Sequence, residues 1–276
     1  MTAVFADLHT HTTASDGQYT PTELVGLAKA AGIQALAITD HDTIAGVDEA
    51  MEAGKALGLR VIRGVELSAR EYPNFHILGY EFRSGESALS RLCERFREGR
   101  DNRKYKIIDF LREKGAGIDL SEVEELAGGE IIARPHFAQV LVRHGYVSTG
   151  REAFERYLDT PEFRQKVTRF KADARTCVED IHAAGGKASL AHPYQMELPD
   201  EELEALVRQL ADWGLDAIEC YYPKYSVEQQ QFYLKLAEQY RLHQTGGSDF
   251  HGEKVKPDVK LAALSLNLDW LMSGKV

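Results

Sequence analysis

Strand and helix signals alternate along this chain, and that alternation limits its fold more than any other feature. Residues 4–9, 35–39, 60–65 and 75–82 read as short apolar strands, with helical stretches between the first three. Thr20-Pro21-Thr22-Glu23 carries a full helix start: a capping hydroxyl, a proline suited to the first turn, and a glutamate three residues on to close the box. Leu24, Leu27, Ala28 and Ala31 form the apolar stripe of that helix, and Gly32 ends it. A second helix stops at Gly58. The rhythm then breaks. From residue 87 to 176 only helical segments are legible, clearest at 119–126, 135–144 and 152–158. Strands resume at 187–191, 215–220 and 243–246, separated by helices near 200–213 and 226–241. This pattern predicts βα units with parallel pairing, closed as a barrel or open as a doubly wound sheet. In either case functional residues gather at the carboxyl ends of the strands.

The 276 residues suffice for one such α/β domain with an insertion. No apolar run reaches the length of a membrane span, and residues 1–8 lack the basic and apolar regions of a signal peptide. Cys93, Cys177 and Cys220 are odd in number and far apart, which argues against a disulfide framework and for a reducing cytoplasm. The net charge of −10 disfavours binding to duplex DNA. A small anionic substrate remains compatible if cations or a local basic pocket receive it. Residues 161–175 supply a local excess in Arg164, Lys166, Arg169, Lys171 and Arg175, although a solvated helix face explains them equally well.

The histidines fall where such a fold does chemistry. His9 and His11 end the first strand, spaced so that both rings share one face. Asp16 follows in the loop. His41 lies just past the second strand, Glu66 ends the third, His192 ends the fifth, and Asp249 and His251 follow the seventh. His76 is the exception, near the start of the fourth strand, which is therefore expected to run antiparallel or to sit at a distorted edge. Each motif alone has an ordinary structural reading; nine imidazoles and carboxylates gathered at strand ends point to divalent metal. The mixed donor set suits manganese, with zinc, iron or magnesium as alternatives, and nine ligands could hold two or three ions. No serine or cysteine nucleophile with a base is evident, and Ser248 lacks a G-x-S-x-G context. His144, His182 and His243 read as structural.

Together these segments resemble a known family. Asp7-Leu8-His9-Thr10-His11 with Ser15-Asp16-Gly17 resembles the first motif of the polymerase-and-histidinol-phosphatase (PHP) family. Ile38-Thr39-Asp40-His41-Asp42, Gly64-Val65-Glu66, Ala191-His192-Pro193 and Gly247-Ser248-Asp249-Phe250-His251 resemble its later motifs in the same order. The resemblance implies a distorted (β/α)7 barrel with a mainly helical insertion, and phosphoester hydrolysis at a cluster of two or three metals. It implies one ion on His9, His11, Glu66 and Asp249, a second on Glu66, His76 and His192, and a third on Asp16, His41 and His251. His9, Asp16, His41, Glu66, Asp249 and His251 would stand closest to the reaction.

Within the family, the chain is similar to stand-alone nucleoside 3′,5′-bisphosphate phosphatases, some of whose relatives trim RNA from the 5′ end. Ala133-Arg134-Pro135-His136-Phe137 and the basic stretch around Arg103 carry that likeness. The expectation is a barrel domain of residues 1–98 and 172–276, with residues 99–171 as a helical substrate-binding cap. A hydroxide activated by the metals would attack phosphorus in line and release the 3′-phosphate. Arg134, His136 and Arg103 would hold the 5′-phosphate, with Pro135 opening a helix whose amino end favours an anion. The rivals are a 5′→3′ exoribonuclease on short 5′-phosphorylated RNA, a structural metal-binding module, and a metal-dependent C–N hydrolase on a related barrel. No membrane partner is expected, and oligomeric state, base preference and the general acid stay open.

Overall fold

A computed structural model gives the fold and describes residues 3–127, 132 and 134–272. Met1, Thr2 and Ala133 of the segments named above lie outside the described residues. In chain order the first elements are β1 (Val4–Asp7), α1 (Pro21–Ala30), β2 (Ala35–Ile38), α2 (Val47–Leu57), β3 (Arg60–Ser68) and β4 (His76–Tyr80). There follow α3 (Ala88–Glu113), α4 (Leu120–Ala127), α5 (Arg134–Arg143), α6 (Gly150–Ala153), a π-helical turn at Phe154–Leu158, and α7 (Pro161–Lys166). The last group is α8 (Ala174–Ala183), β5 (Lys187–Leu190), a 3-10 turn at Pro193–Met196, α9 (Asp200–Asp212), β6 (Ala217–Tyr221), α10 (Val227–Gln239), β7 (His243–Gly246), β8 (Leu264–Leu266) and α11 (Asp269–Met272). No helix among the described residues is long and apolar enough to cross a membrane. The chain divides into two compact units, residues 1–94 with 171–276, and residues 95–170.

The larger unit is built on one eight-stranded sheet in the order β7-β6-β5-β4-β3-β2-β1-β8. β1, β2 and β3 pair in parallel, as do β5, β6 and β7. β4 is antiparallel to both of its neighbours. The short link from β3 permits only that direction, because a parallel return needs a crossover of a dozen residues or more. Reversal puts the first residue of β4 beside the last of β3, with His76 opposite Ser68. The sheet curls until its ends nearly meet. β8 pairs antiparallel with the first half of β1, while the amide of Leu8 donates to the Gly246 carbonyl of β7 (3.1 Å). Among the described residues the sheet has eight strands where the sequence showed seven. A three-residue strand such as β8 carries too little periodicity to be read.

Small residues line the inside of this barrel: Ala6, Ala35, Ala37, Ala191 and Ala217. Tyr80 fills the space they leave, and its hydroxyl donates to the Leu8 carbonyl (2.9 Å). Outside the sheet, Leu24, Val25 and Ala28 of α1 pack with Leu36 and Ile38 of β2. Each such leucine, valine or isoleucine is worth about 1.5–3 kcal/mol of burial. The Thr20–Glu23 capping box is present, so local and tertiary preferences agree at the start of α1.

The smaller unit has its own core, with Ile107 and Leu111 of α3, Val123 of α4, Phe137 and Leu141 of α5, and Phe163 of α7. Phe110 and Phe163 meet edge to face at 5.3 Å. Arg164 and Lys166 in the basic stretch are committed to ion pairs with Asp159, Glu113 and Glu162 of the same unit.

Candidate metal centre

His9, His11, Asp16, His41, Glu66, His76, His192, Asp249 and His251 all meet at one end of the barrel. Past β1 and β7 the two chain segments continue to pair: Asp249 donates its amide to His9 (2.8 Å) and His11 to Phe250 (2.9 Å). That closeness requires glycine at 247, because a β-carbon there would overlap His9. Past β2 and β3 the pairing also continues, with Glu66 donating to Asp40 (3.1 Å) and Asp42 to Glu66 (2.8 Å). His41 thereby lies beside Glu66. His76 joins the others because β4 is reversed. Asp249 has a left-handed backbone (φ 56), which aspartate tolerates better than most residues.

Glu66 stands at the centre and is fully buried. Its two oxygens face different partners. Oε1 lies 2.8 Å from His76 Nδ1 and 2.8 Å from His192 Nε2. Oε2 lies 3.3 Å from His9 Nε2, 3.2 Å from His11 Nε2 and 3.0 Å from His41 Nδ1. Asp249 Oδ1 completes the second side, 3.3 Å from His11 Nε2 and 3.7 Å from His9 Nε2. Asp16 lies at the outer edge with its carboxylate 55% exposed, 3.3 Å from His251 Nε2 and 3.9 Å from His41 Nε2.

Among the described residues, four groups of three or four potential ligand atoms are compact enough to hold an ion. They are His9-His11-Asp249, His9-Glu66-His192, His41-Glu66-His76 and His11-Asp16-His41-His251. The groups overlap, as they would if ions shared ligands. Buried His9 Nε2, His11 Nδ1 and Nε2, His192 Nδ1 and Glu66 Oε2 complete no hydrogen bond. Buried polar atoms are rarely left so. Bound metal ions would satisfy them, and the residues fit that requirement.

A ring of buried carboxylates supports these side chains, and sequence reading missed it. Glu219 of β6 lies 3.2 Å from His9 Nδ1 and accepts the His192 amide at 2.6 Å. Asp7 accepts from the Ser248 hydroxyl (2.6 Å) and from the amides of Ser248 and Ala262 (2.9 Å each). Asp40 binds Thr12 and the Ser15 hydroxyl (2.6 Å), fixing the loop that carries Asp16. Acids inside apolar strand runs were the available signal, as in Ala217-Ile218-Glu219-Cys220.

Burial opposes every charge in this cluster, yet the charges oppose it in turn. Burial alone would raise Glu66, but His41, His76 and His9 hold its carboxyl well below the ordinary range. Burial would lower His11, but the carboxylates of Asp249 and Glu66 beside it carry it up to about 9. His76 is pushed down to about 4 by burial that Glu66 only partly offsets. Without ions, the proton on His11 stabilises the fold fully below the free histidine value of 6.5, and that contribution is lost as pH rises through about 9. An ion must displace this proton. Ion affinity should therefore rise with pH up to about 9. Calorimetry in two buffers of different ionisation heat should show proton release at neutral pH; equal observed heats in the two buffers would contradict this charge state.

The PHP domain profile matches residues 7–167. The chain belongs to the PHP family. Among curated relatives, a 5′-3′ exoribonuclease of Haemophilus influenzae is 38% identical, covering 89% of this chain and 89% of that protein. A phosphoribosyl 1,2-cyclic phosphate 1,2-diphosphodiesterase of Eggerthella lenta is 34% identical, over 90% and 94%. A 3′,5′-nucleoside bisphosphate phosphatase of Chromobacterium violaceum is 33% identical, over 89% and 86%. A solved structure from Bifidobacterium adolescentis, described as a metal-dependent phosphoesterase, superposes with a TM-score of 0.73 at 31% identity, over 96% and 93%. This PHP protein is a metal-dependent hydrolase of phosphate esters.

The expected substrate residues belong to the smaller unit. Arg134 opens α5 and donates to the Asp159 carboxylate (2.8 Å) and the Leu158 carbonyl (3.2 Å). His136, half-buried, lies in the first turn of α5. Burial lowers the Arg103 guanidinium, and the charges of Arg134 and Arg169 lower it further. Its Nε is buried without a hydrogen bond. The pairing of Arg134 with Asp159 was not foreseen and leaves Arg134 less of its charge for a ligand.

Proposed function

We propose that this PHP protein removes the 3′-phosphate from nucleoside 3′,5′-bisphosphates. Bound ions would supply Lewis acidity toward the phosphoryl oxygens and a water of lowered pKa, and manganese suits the imidazole and carboxylate donors. Glu66 would orient the two ligand sides against each other, and Glu219 would hold His9 with Nε2 toward the centre. Asp16, half exposed at the rim, would order the side from which substrate enters. Residues 99–171 act as the substrate-binding cap in this reading. Arg134, His136 and Arg103 take the remaining 5′-phosphate.

The observation that carries the reading is Arg103, with its Nε buried and unbonded, beside the charges of Arg134 and Arg169 in an otherwise acidic chain. Asp159 offsets part of the Arg134 charge, and a second phosphate would supply a further counter-charge to the group. The Chromobacterium relative's name supports the same substrate. The Haemophilus relative's name favours a second reading, stepwise 5′→3′ removal of nucleotides from short RNA.

Phosphate release from adenosine 3′,5′-bisphosphate, compared with nucleotide release from a 5′-phosphorylated tetranucleotide, separates the two. Arg134→Ala should lower kcat/KM for the bisphosphate by about tenfold, the lower end for a charge-assisted contact because Asp159 shares the guanidinium. Turnover of a 3′-monophosphate should barely change, since that substrate lacks the group. Equal losses on both would make Arg134 structural.

A further inference from the structure

Asp249 is divided between two jobs. Its Oδ1 faces His11 Nε2 (3.3 Å) and His9 Nε2 (3.7 Å) in the cluster. Its Oδ2 faces away and meets three donors from three segments. Lys256 Nζ lies at 2.8 Å, the Tyr222 hydroxyl at 3.3 Å and the Gln195 side-chain amide at 3.4 Å. Tyr222 follows β6 and is buried, and Gln195 lies in the 3-10 turn behind His192. Lys256 lies in the turn behind His251. Gly252, with φ +95, bends the chain there, and the Lys256 amide closes the turn on the Gly252 carbonyl (2.9 Å). The lysine side chain is thereby carried back to the aspartate seven positions earlier.

We propose that Lys256, assisted by Tyr222 and Gln195, is a positioning residue that restricts Asp249 to ligating through Oδ1 alone. A carboxylate with both oxygens free can chelate an ion with both. Here the ammonium occupies Oδ2 and draws electron density from the group. Two effects follow. The ion keeps one coordination position for substrate or water, and it keeps more of its positive charge. Lys256 therefore weakens ion binding and strengthens the chemistry. This is the opposite of what a merely structural contact would do, since loss of scaffolding loosens ligands.

The test is Lys256→Met, which keeps the length of the stem and removes the charge. The lysine side chain is 34% exposed, so the fold tolerates the change. Calorimetric titration of the ion-stripped protein with Mn2+ should give a dissociation constant about three- to tenfold lower, because a cation beside the site has gone. With ions saturating, kcat on the best phosphoester substrate of the unmodified protein should fall about tenfold, with KM little changed. Lys256→Arg should restore both, and Tyr222→Phe should shift both in the same direction by less. Weaker Mn2+ binding in Lys256→Met overturns the proposal and makes the lysine scaffolding. An unchanged kcat with a raised KM also overturns it, since Lys256 would then bind substrate.

Discussion

Glu66→Gln should leave a folded protein that has lost about 10^3-fold or more in kcat/KM. The amide keeps the size and shape of the side chain but removes the charge on which five imidazoles converge. A neutral amide is a poor ligand and offers one oxygen where the carboxylate offers two. His76 and His192 meet Oε1, whereas His9, His11 and His41 meet Oε2. The substitution therefore separates two ligand sides that the carboxylate joins. Lewis-acid stabilisation by the ions is worth several kcal/mol, and each 1.36 kcal/mol is tenfold in rate. Metal analysis should find at least one ion fewer per chain. Chelation should abolish activity of the unmodified protein and Mn2+ should restore it, while the variant stays inactive at the same Mn2+ concentration. Wild-type activity and metal content in Glu66→Gln would mean that Glu66 does not join ions.

The gathering of these side chains was legible because residues at strand ends obey a simple geometric rule. His9 and His11 fall on one face, and His41, Glu66, His192, Asp249 and His251 follow strands whose apolar runs are short and clear. His76 broke the rule at the start of its strand, which pointed to reversal or a distorted edge, and the structure shows β4 antiparallel on both sides. The supporting acids were not found, because a buried carboxylate is indistinguishable by type from a surface one. Glu219, Asp7 and Asp40 are fully buried, and only their place within apolar strands or tight motifs hints at it. Asp249's partners Tyr222, Gln195 and Lys256 come from three loops, and no local pattern links them. The long α3 fell within the stretch read as helical but was not delimited, for a different reason. Its charged residues outnumber its apolar ones and blur any single apolar stripe. The histidines set aside as structural have ordinary partners: His144 pairs with Glu122, His182 with Asp216, and His243 stacks on Trp270.

Glu219→Gln should weaken ion binding by about 10- to 100-fold, the usual cost of losing a supporting carboxylate. Two hydrogen bonds meet on this buried side chain. One oxygen faces His9 Nδ1 (3.2 Å) and the other accepts the His192 amide (2.6 Å). The carboxylate accepts at both ends, so His9 must carry its proton on Nδ1 and present a bare Nε2 to the centre. Glutamine can accept at only one end. If its oxygen serves the His192 amide, its NH2 group faces His9 Nδ1. The imidazole then moves its proton to Nε2, the atom that should ligate. If the amide is turned the other way, NH2 opposes the N–H of His192 and that ligand shifts. Either way one ligand is compromised. Activity titrated against Mn2+ should show its midpoint displaced by about 10- to 100-fold, with kcat at saturating ion much closer to that of the unmodified protein. Thermal stability of the ion-free variant should fall as well, because Glu219 is a buried counter-charge to His9 there. Lower stability with unchanged ion affinity would assign Glu219 to the core and not to the ligands.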